Sequence, residues 1–217
     1  EESNQGSFST RLAHYLCEQS AAHLAAHEVE PAQMLLEQAI HNAPAAPRPR
    51  IDLAKLLRQR GEPAQALAVL EELYTQAPAA LPLVVGHMAQ LAIDCHQAEQ
   101  VRDRLMAFYT KTPGIDCLEA IVTLETHLGA SADQTRQWYL RHLEHEPSLV
   151  AASRWFASQP KLGDASHPPV QRALDHATKP LTRYRCAACG FEAKQHFWQC
   201  PGCQAWDSYP ARRVEEL

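Results

Sequence analysis

Four cysteines stand as two pairs, Cys186-Ala187-Ala188-Cys189 and Cys200-Pro201-Gly202-Cys203, with ten residues between the pairs. A two-residue gap lets one tight turn aim two sulfurs at a single point, and two such turns can complete a tetrahedron of thiolates. Gly190 is predicted to supply a positive φ just after the second sulfur, and Pro201-Gly202 to make the second turn. A tetrahedral S₄ set takes one metal ion, iron or zinc, on Cys186, Cys189, Cys200 and Cys203. The gap is shorter than the roughly 15–20 residues of many zinc modules but long enough for a β-hairpin return. The competing arrangement is a pair of disulfides. Cys17, Cys95 and Cys117 are scattered and bring the count to an odd seven, which does not read as a disulfide framework; a reducing compartment fits better. Tyr184, Phe191, Phe197, Trp198 and Trp206 flank the cysteines and are expected to form a miniature core beneath the metal. His196, between the pairs, is expected at the surface rather than as a fifth ligand.

No other constellation of reactive residues stands out. HExxH, GxSxG, P-loop and GxGxxG patterns are absent, so catalytic residues are none and the reading is not an enzyme. His23 and His27 lie four apart on one predicted helix, as a metal pair could, but no third ligand accompanies them. The net charge of −5 argues against a polyanion binder, and residues 182–217 carry five basic and four acidic side chains, too balanced for a zinc module that grips nucleic acid. No apolar run approaches the roughly 18 residues of a membrane span.

The elements that must position the cysteines follow from a repeat. Pro44, Pro78, Pro113 and Pro147 recur at intervals of 34, 35 and 34, the period of the tetratricopeptide repeat, a helix-turn-helix unit. Twelve residues before Pro44 and Pro78 stand Ala32 and Ala66; eight before each proline come Leu36, Leu70, Leu105 and Tyr139. A small residue lets the partner helix approach, and a large one a turn later fills the groove. The third and fourth units are degenerate, with Val101 and Thr135 replacing the small residue and His142 standing where Ala is usual. Helices are predicted at 9–26, 31–42, 47–60, 63–76, 80–93, 97–110, 115–128, 132–145 and 148–158, then a connector at 160–169 and a short helix at 170–178. The expected class is all-α, a tetratricopeptide-repeat α-solenoid over 1–159, a connector with a short helix over 160–181, and a small rubredoxin-like or zinc-ribbon β module over 182–217.

The tail YRCAACGF…FWQCPGCQAW resembles that of the lipopolysaccharide assembly protein B family. The aromatics Tyr184 and Trp198 two residues before each pair, Gly190 after the first pair and Trp206 three after the last cysteine all match, as do the repeats upstream. The resemblance implies a non-enzymatic regulatory adaptor at the cytoplasmic face of the bacterial inner membrane, tethered by an N-terminal helix that this sequence lacks. It implies three kinds of partner: a membrane-bound AAA+ protease, the lipid A pathway deacetylase that the protease degrades, and lipopolysaccharide-assembly proteins. The family's metal ligands fall on the same four cysteines. The alternative is a rubredoxin-type electron carrier fused to a protein-binding scaffold.

Overall fold

A computed structural model describes residues 2–159 and 167–217, with side chains from Phe8 onward. The chain divides into two compact units, Glu1–Cys95 and His96–Leu217.

The first unit is a run of helical hairpins. Helices α1 (Glu2–Ala25), α2 (Val29–Asn42), α3 (Pro47–Gln59) and α4 (Pro63–Glu71) each pack on the next. A short α5 (Leu73–Gln76), a 3₁₀ segment (Pro78–Leu83) and α6 (Val85–Asp94) complete it. The predicted register holds: Ala32, Leu36 and Ala39 of α2 are buried, as are Ala66, Leu70 and Leu73 in the next hairpin. Proline in the first turn starts α3 and α4, where its missing N–H is not needed.

The helix predicted over 9–26 begins earlier, at Glu2, and two further helices differ from expectation in form. The helix predicted over 80–93 begins as the 3₁₀ segment, because Pro82 has no N–H to give and crowds the preceding turn. The helix predicted over 63–76 is interrupted at Glu72, whose carboxylate accepts from Arg50 Nε at 2.8 Å.

The second unit holds α7 (Ala98–Tyr109), α8 (Ile115–His127), α9 (Ala132–His145), α10 (Leu149–Ala157) and α11 (His167–Thr178), again packed in sequence. A two-stranded antiparallel sheet, β1 (Tyr184–Arg185) with β2 (Glu192–Ala193), and a 3₁₀ turn (Val214–Glu216) follow. Ile115, Leu118, Tyr139, Val150 and Ala151 form its core. Of the degenerate positions, Val101 is buried and His142 is buried with Nδ1 2.6 Å from the Tyr109 hydroxyl, whereas Thr135 is only half-buried; Tyr139 keeps its expected buried place. Of the connector expected at 160–169, residues 160–166 lie outside the described residues, and 167–169 open α11.

A left-handed residue turns the chain once per repeat, at His27, Gly61, His96 and Gly129. At His27 the turn is a Schellman motif, with Glu28 N–H donating to His23 O and His27 N–H to Leu24 O. The same pair of bonds recurs around Gly61 and Gly129. The i,i+4 spacing of His23 and His27 is thus part of a turn; His23 Nδ1 is 2.5 Å from Glu28 Oε2.

Candidate metal centre

The two CxxC turns are near copies of each other. In the first, Cys186 N–H donates to Phe191 O at 2.9 Å and Gly190 N–H to Cys186 O at 2.8 Å. In the second, Cys200 N–H donates to Ala205 O at 2.9 Å and Gln204 N–H to Cys200 O at 2.9 Å. Gly190 takes φ +78° as predicted. Its counterpart is Gln204 at φ +62°, not Gly202, so the second turn places a side chain where glycine is favoured. Gly202 serves a different need: a Cβ there would lie 3.4 Å from the Phe191 ring, which packs over the loop.

These turns bring the four sulfurs within 4.8 Å of one another. Cys186 Sγ lies 3.9 Å from Cys203 Sγ, and Cys189 Sγ 3.7 Å from Cys200 Sγ. A tetrahedral ion with sulfurs at about 2.3 Å sets its ligands about 3.8 Å apart. Disulfide sulfurs would stand at about 2.05 Å, and all seven cysteines are free. Cys186 Sγ accepts from the N–H groups of Cys189 and Ala188, and Cys200 Sγ from those of Cys203 and Gly202. Such bonds favour thiolate over thiol. The Ser208 hydroxyl, 3.2 Å from Cys186 Sγ, is the main reason that thiol is drawn down to about 6. The Phe191 N–H favours the Cys189 thiolate, yet desolvation and three thiol neighbours push Cys189 up to about 12. Four thiols so close cannot all ionise without a cation, and one tetrahedral metal ion fits the donors, the distances and the N–H bonds.

The surroundings depart from the expected miniature core. Tyr184 is buried, Phe197, Trp198 and Trp206 are half-buried, and Phe191 is 44% exposed. His196, expected at the surface, is half-buried instead. Its Nε2 pairs with Tyr209 O at 2.9 Å, and its ring meets those of Tyr184, Trp198 and Tyr209 edge-on. Burial pushes its pKa below the ordinary histidine value. Tyr209, which the sequence did not single out, is buried with its ring edge-on to those of His196 and Phe197 and its hydroxyl donating to Phe191 O at 3.1 Å.

The segment after the last cysteine fastens the module to the helices. The Arg213 guanidinium lies over the Tyr184 ring at 4.2 Å and grips Asp116 of α8 with two bonds of 2.8 Å. The Glu216 carboxylate accepts from Ile115 N–H at 2.7 Å, at the first turn of α8. The Glu215 carboxylate accepts from Ser148 Oγ at 2.8 Å and Val150 N–H at 3.1 Å, at the first turn of α10. Carboxylates there satisfy orphan donors and oppose the positive end of the helix dipole. The residue before α8 is Gly114, which has no side chain to cap with; a Cβ there would stand 3.1 Å from Glu216 Oε1. In the sequence, Arg-Arg-Val-Glu-Glu reads as a solvated charged run, and only its placement shows otherwise.

Helical hairpins of tetratricopeptide type, followed by a small β module built on four convergent thiols, define a helical-repeat protein with a rubredoxin-type metal-binding domain. Residues 184–209 match the Rubredoxin metal binding domain family. Over 95% of its length the chain is similar to Lipopolysaccharide assembly protein B of Escherichia coli K12, at 23% identity and covering 54% of that protein. It is also similar to Lipopolysaccharide assembly protein B of Haemophilus influenzae, at 25% identity over 91% of the chain and 50% of the relative. The chain therefore spans about half the length of the curated relatives it matches. Among solved structures, Pseudomonas aeruginosa pilF shares the helical fold, at TM-score 0.52 and 13% identity over 78% of this chain and 77% of that one. Among the described residues no helix is long and apolar enough to cross a membrane.

Proposed function

We propose that this chain belongs to a non-enzymatic adaptor of lipopolysaccharide assembly, with residues 1–159 as the partner-binding array, 160–181 as connector and 182–217 as a metal-stabilised clamp. Cys186, Cys189, Cys200 and Cys203 are the ligands of its one iron or zinc ion. Similarity to Lipopolysaccharide assembly protein B over nearly the whole chain carries this reading. In its finer form, the adaptor works at the cytoplasmic face of the inner membrane. It holds the lipid A pathway deacetylase for a membrane-bound AAA+ protease and gathers lipopolysaccharide-assembly proteins. Proximity is the whole mechanism: tethering two partners raises the effective concentration of one at the other.

A groove in the first unit suits the holding role. Ile51, Ala54, Leu70, Val84 and Leu91 line a cavity of about 330 Å³ whose rim carries Arg58 and His87. Burial, then the nearby Arg58 and Lys55 charges, keep His87 below its ordinary pKa. Arg58 is exposed and has no carboxylate partner among the described residues, so the groove suits a client segment with an apolar anchor beside an acidic residue. The reading is tested by affinity capture from membranes with full-length protein, intact or carrying Cys200→Ser. Recovery of protease and deacetylase with the intact form only supports it; equal recovery with both removes the clamp from the mechanism.

A second reading rests on the exposure of Cys189 and Cys203, which opens one side of the cluster to solvent. An electron carrier would use such an edge. Red protein with a reversible one-electron reduction favours it, whereas colourless zinc-loaded protein leaves the metal structural.

A further inference from the structure

A second cavity, of about 320 Å³, lies within the second unit between the metal module and the helices that carry it. Its wall holds four cationic side chains, Arg154, Lys179, Lys194 and Arg213, and two anionic ones, Asp116 and Glu119. Both carboxylates are already engaged. Asp116 is held by Arg213 through two bonds of 2.8 Å, and Glu119 by Arg154 Nε at 2.7 Å. Lys179 and Lys194 are exposed and have no carboxylate partner among the described residues. The cavity thus carries two uncompensated positive charges in a chain whose net charge is −5. Like charges gathered at a low-dielectric wall raise the local concentration of counter-ions. Arg154 adds to this, since only its Nε is committed to Glu119 and its fork has further N–H groups to offer.

We propose that this cavity binds a phosphate monoester, the dianion being taken by Lys179 and Lys194 with Arg154. The volume is about ten times a water molecule's share of roughly 30 Å³, so a phosphate enters with a substituent such as a sugar rather than alone. The three cations come from three elements: Arg154 from α10, Lys179 from just beyond α11, and Lys194 from just beyond β2. A bound dianion therefore bridges the module to the helices, and its occupancy steadies their junction. The site needs neither the groove of the first unit nor any adaptor role, so it stands or falls independently of them.

The test is calorimetric titration of metal-loaded protein at low salt with inorganic phosphate and with glucose 1-phosphate. Sedimentation with phosphatidylcholine vesicles containing phosphatidic acid forms a third arm. Saturable binding of glucose 1-phosphate, tighter than inorganic phosphate and weakened at least tenfold by Lys179→Gln with Lys194→Gln, is the expected result. Both lysines are exposed, so the double variant keeps the metal content and melting of the parent; Lys179→Arg with Lys194→Arg restores binding. If the vesicle arm alone responds and the double variant abolishes it, the phosphate is that of a lipid headgroup and the site stands. Absence of saturable binding in all three arms, or binding that the double variant leaves unchanged, overturns the proposal.

Discussion

The hairpins of the first unit and the cysteine module hold themselves together by opposite means. In the hairpins, Ala32, Leu36, Ala39, Ala66, Leu70 and Leu73 bury side chains at helical spacing, so stability is spread over many contacts of similar weight. The module has two two-residue strands and an incompletely covered aromatic cluster, so its order is concentrated at four sulfurs. Dispersed stability degrades by increments, whereas concentrated stability fails at once.

The sharpest way to break the contrast is Cys200→Ser. Structural metal sites contribute on the order of 10 kcal/mol, so metal content should fall to zero and the near-UV signal of Trp198 and Trp206 should vanish. A variant that keeps its metal and its spectrum would show that the sulfurs do not carry the module. Next comes Leu73→Ala in the first unit. A cavity at a fully buried leucine costs about 2–5 kcal/mol, read as a lower melting temperature with metal content unchanged. Loss of metal alongside would mean that the two regions are not independent.

Arg213→Ala probes the joint between module and helices. It removes hydrogen bonds between charged groups that are mostly out of solvent, 22% and 18% exposed, and should cost about 2 kcal/mol. A double-mutant cycle with Asp116→Ala isolates their coupling, and a coupling near zero would leave the carboxylates of Glu215 and Glu216 as the fastening. The smallest effect is a pH slope. Burial holds the His142 imidazole below its ordinary 6.5, so the unfolded chain takes up the proton first as pH falls. Stability should accordingly be intact above about pH 6.5 and decline below it, by at most about 1.4 kcal/mol per pH unit for this one group. Urea melts at pH 7.0 and 5.5 check this, and His142→Gln should flatten the decline by that share.

How far each region could be read in advance follows the same division. The hairpins were legible because Pro44, Pro78, Pro113 and Pro147 punctuate them and the Ala and Leu positions repeat with the prolines; even the degenerate His142 fell on its buried position. The four sulfurs were legible because covalent spacing alone brings each pair together. What was hidden depends on backbone freedom or distant partners. His27, His96 and Gln204 adopt the left-handed region without being glycine, so residue type gave no signal. The Pro82 turn was masked by the apolar run around it. Tyr209, Arg213, Glu215 and Glu216 find partners on residues far away in sequence, and no local pattern announces that.

The carboxylate at the start of α8 comes from a residue 101 positions later in the chain. During synthesis, α8 is made long before its stabilising anion exists. Until Glu216 arrives, Gly114 offers that first turn nothing of its own. Closure of so long a loop is entropically slow, which makes it a late event in assembly. Residues 213–216 then act as a latch that locks hairpins already translated, and a product interrupted before them would keep its repeats yet lack that fastening.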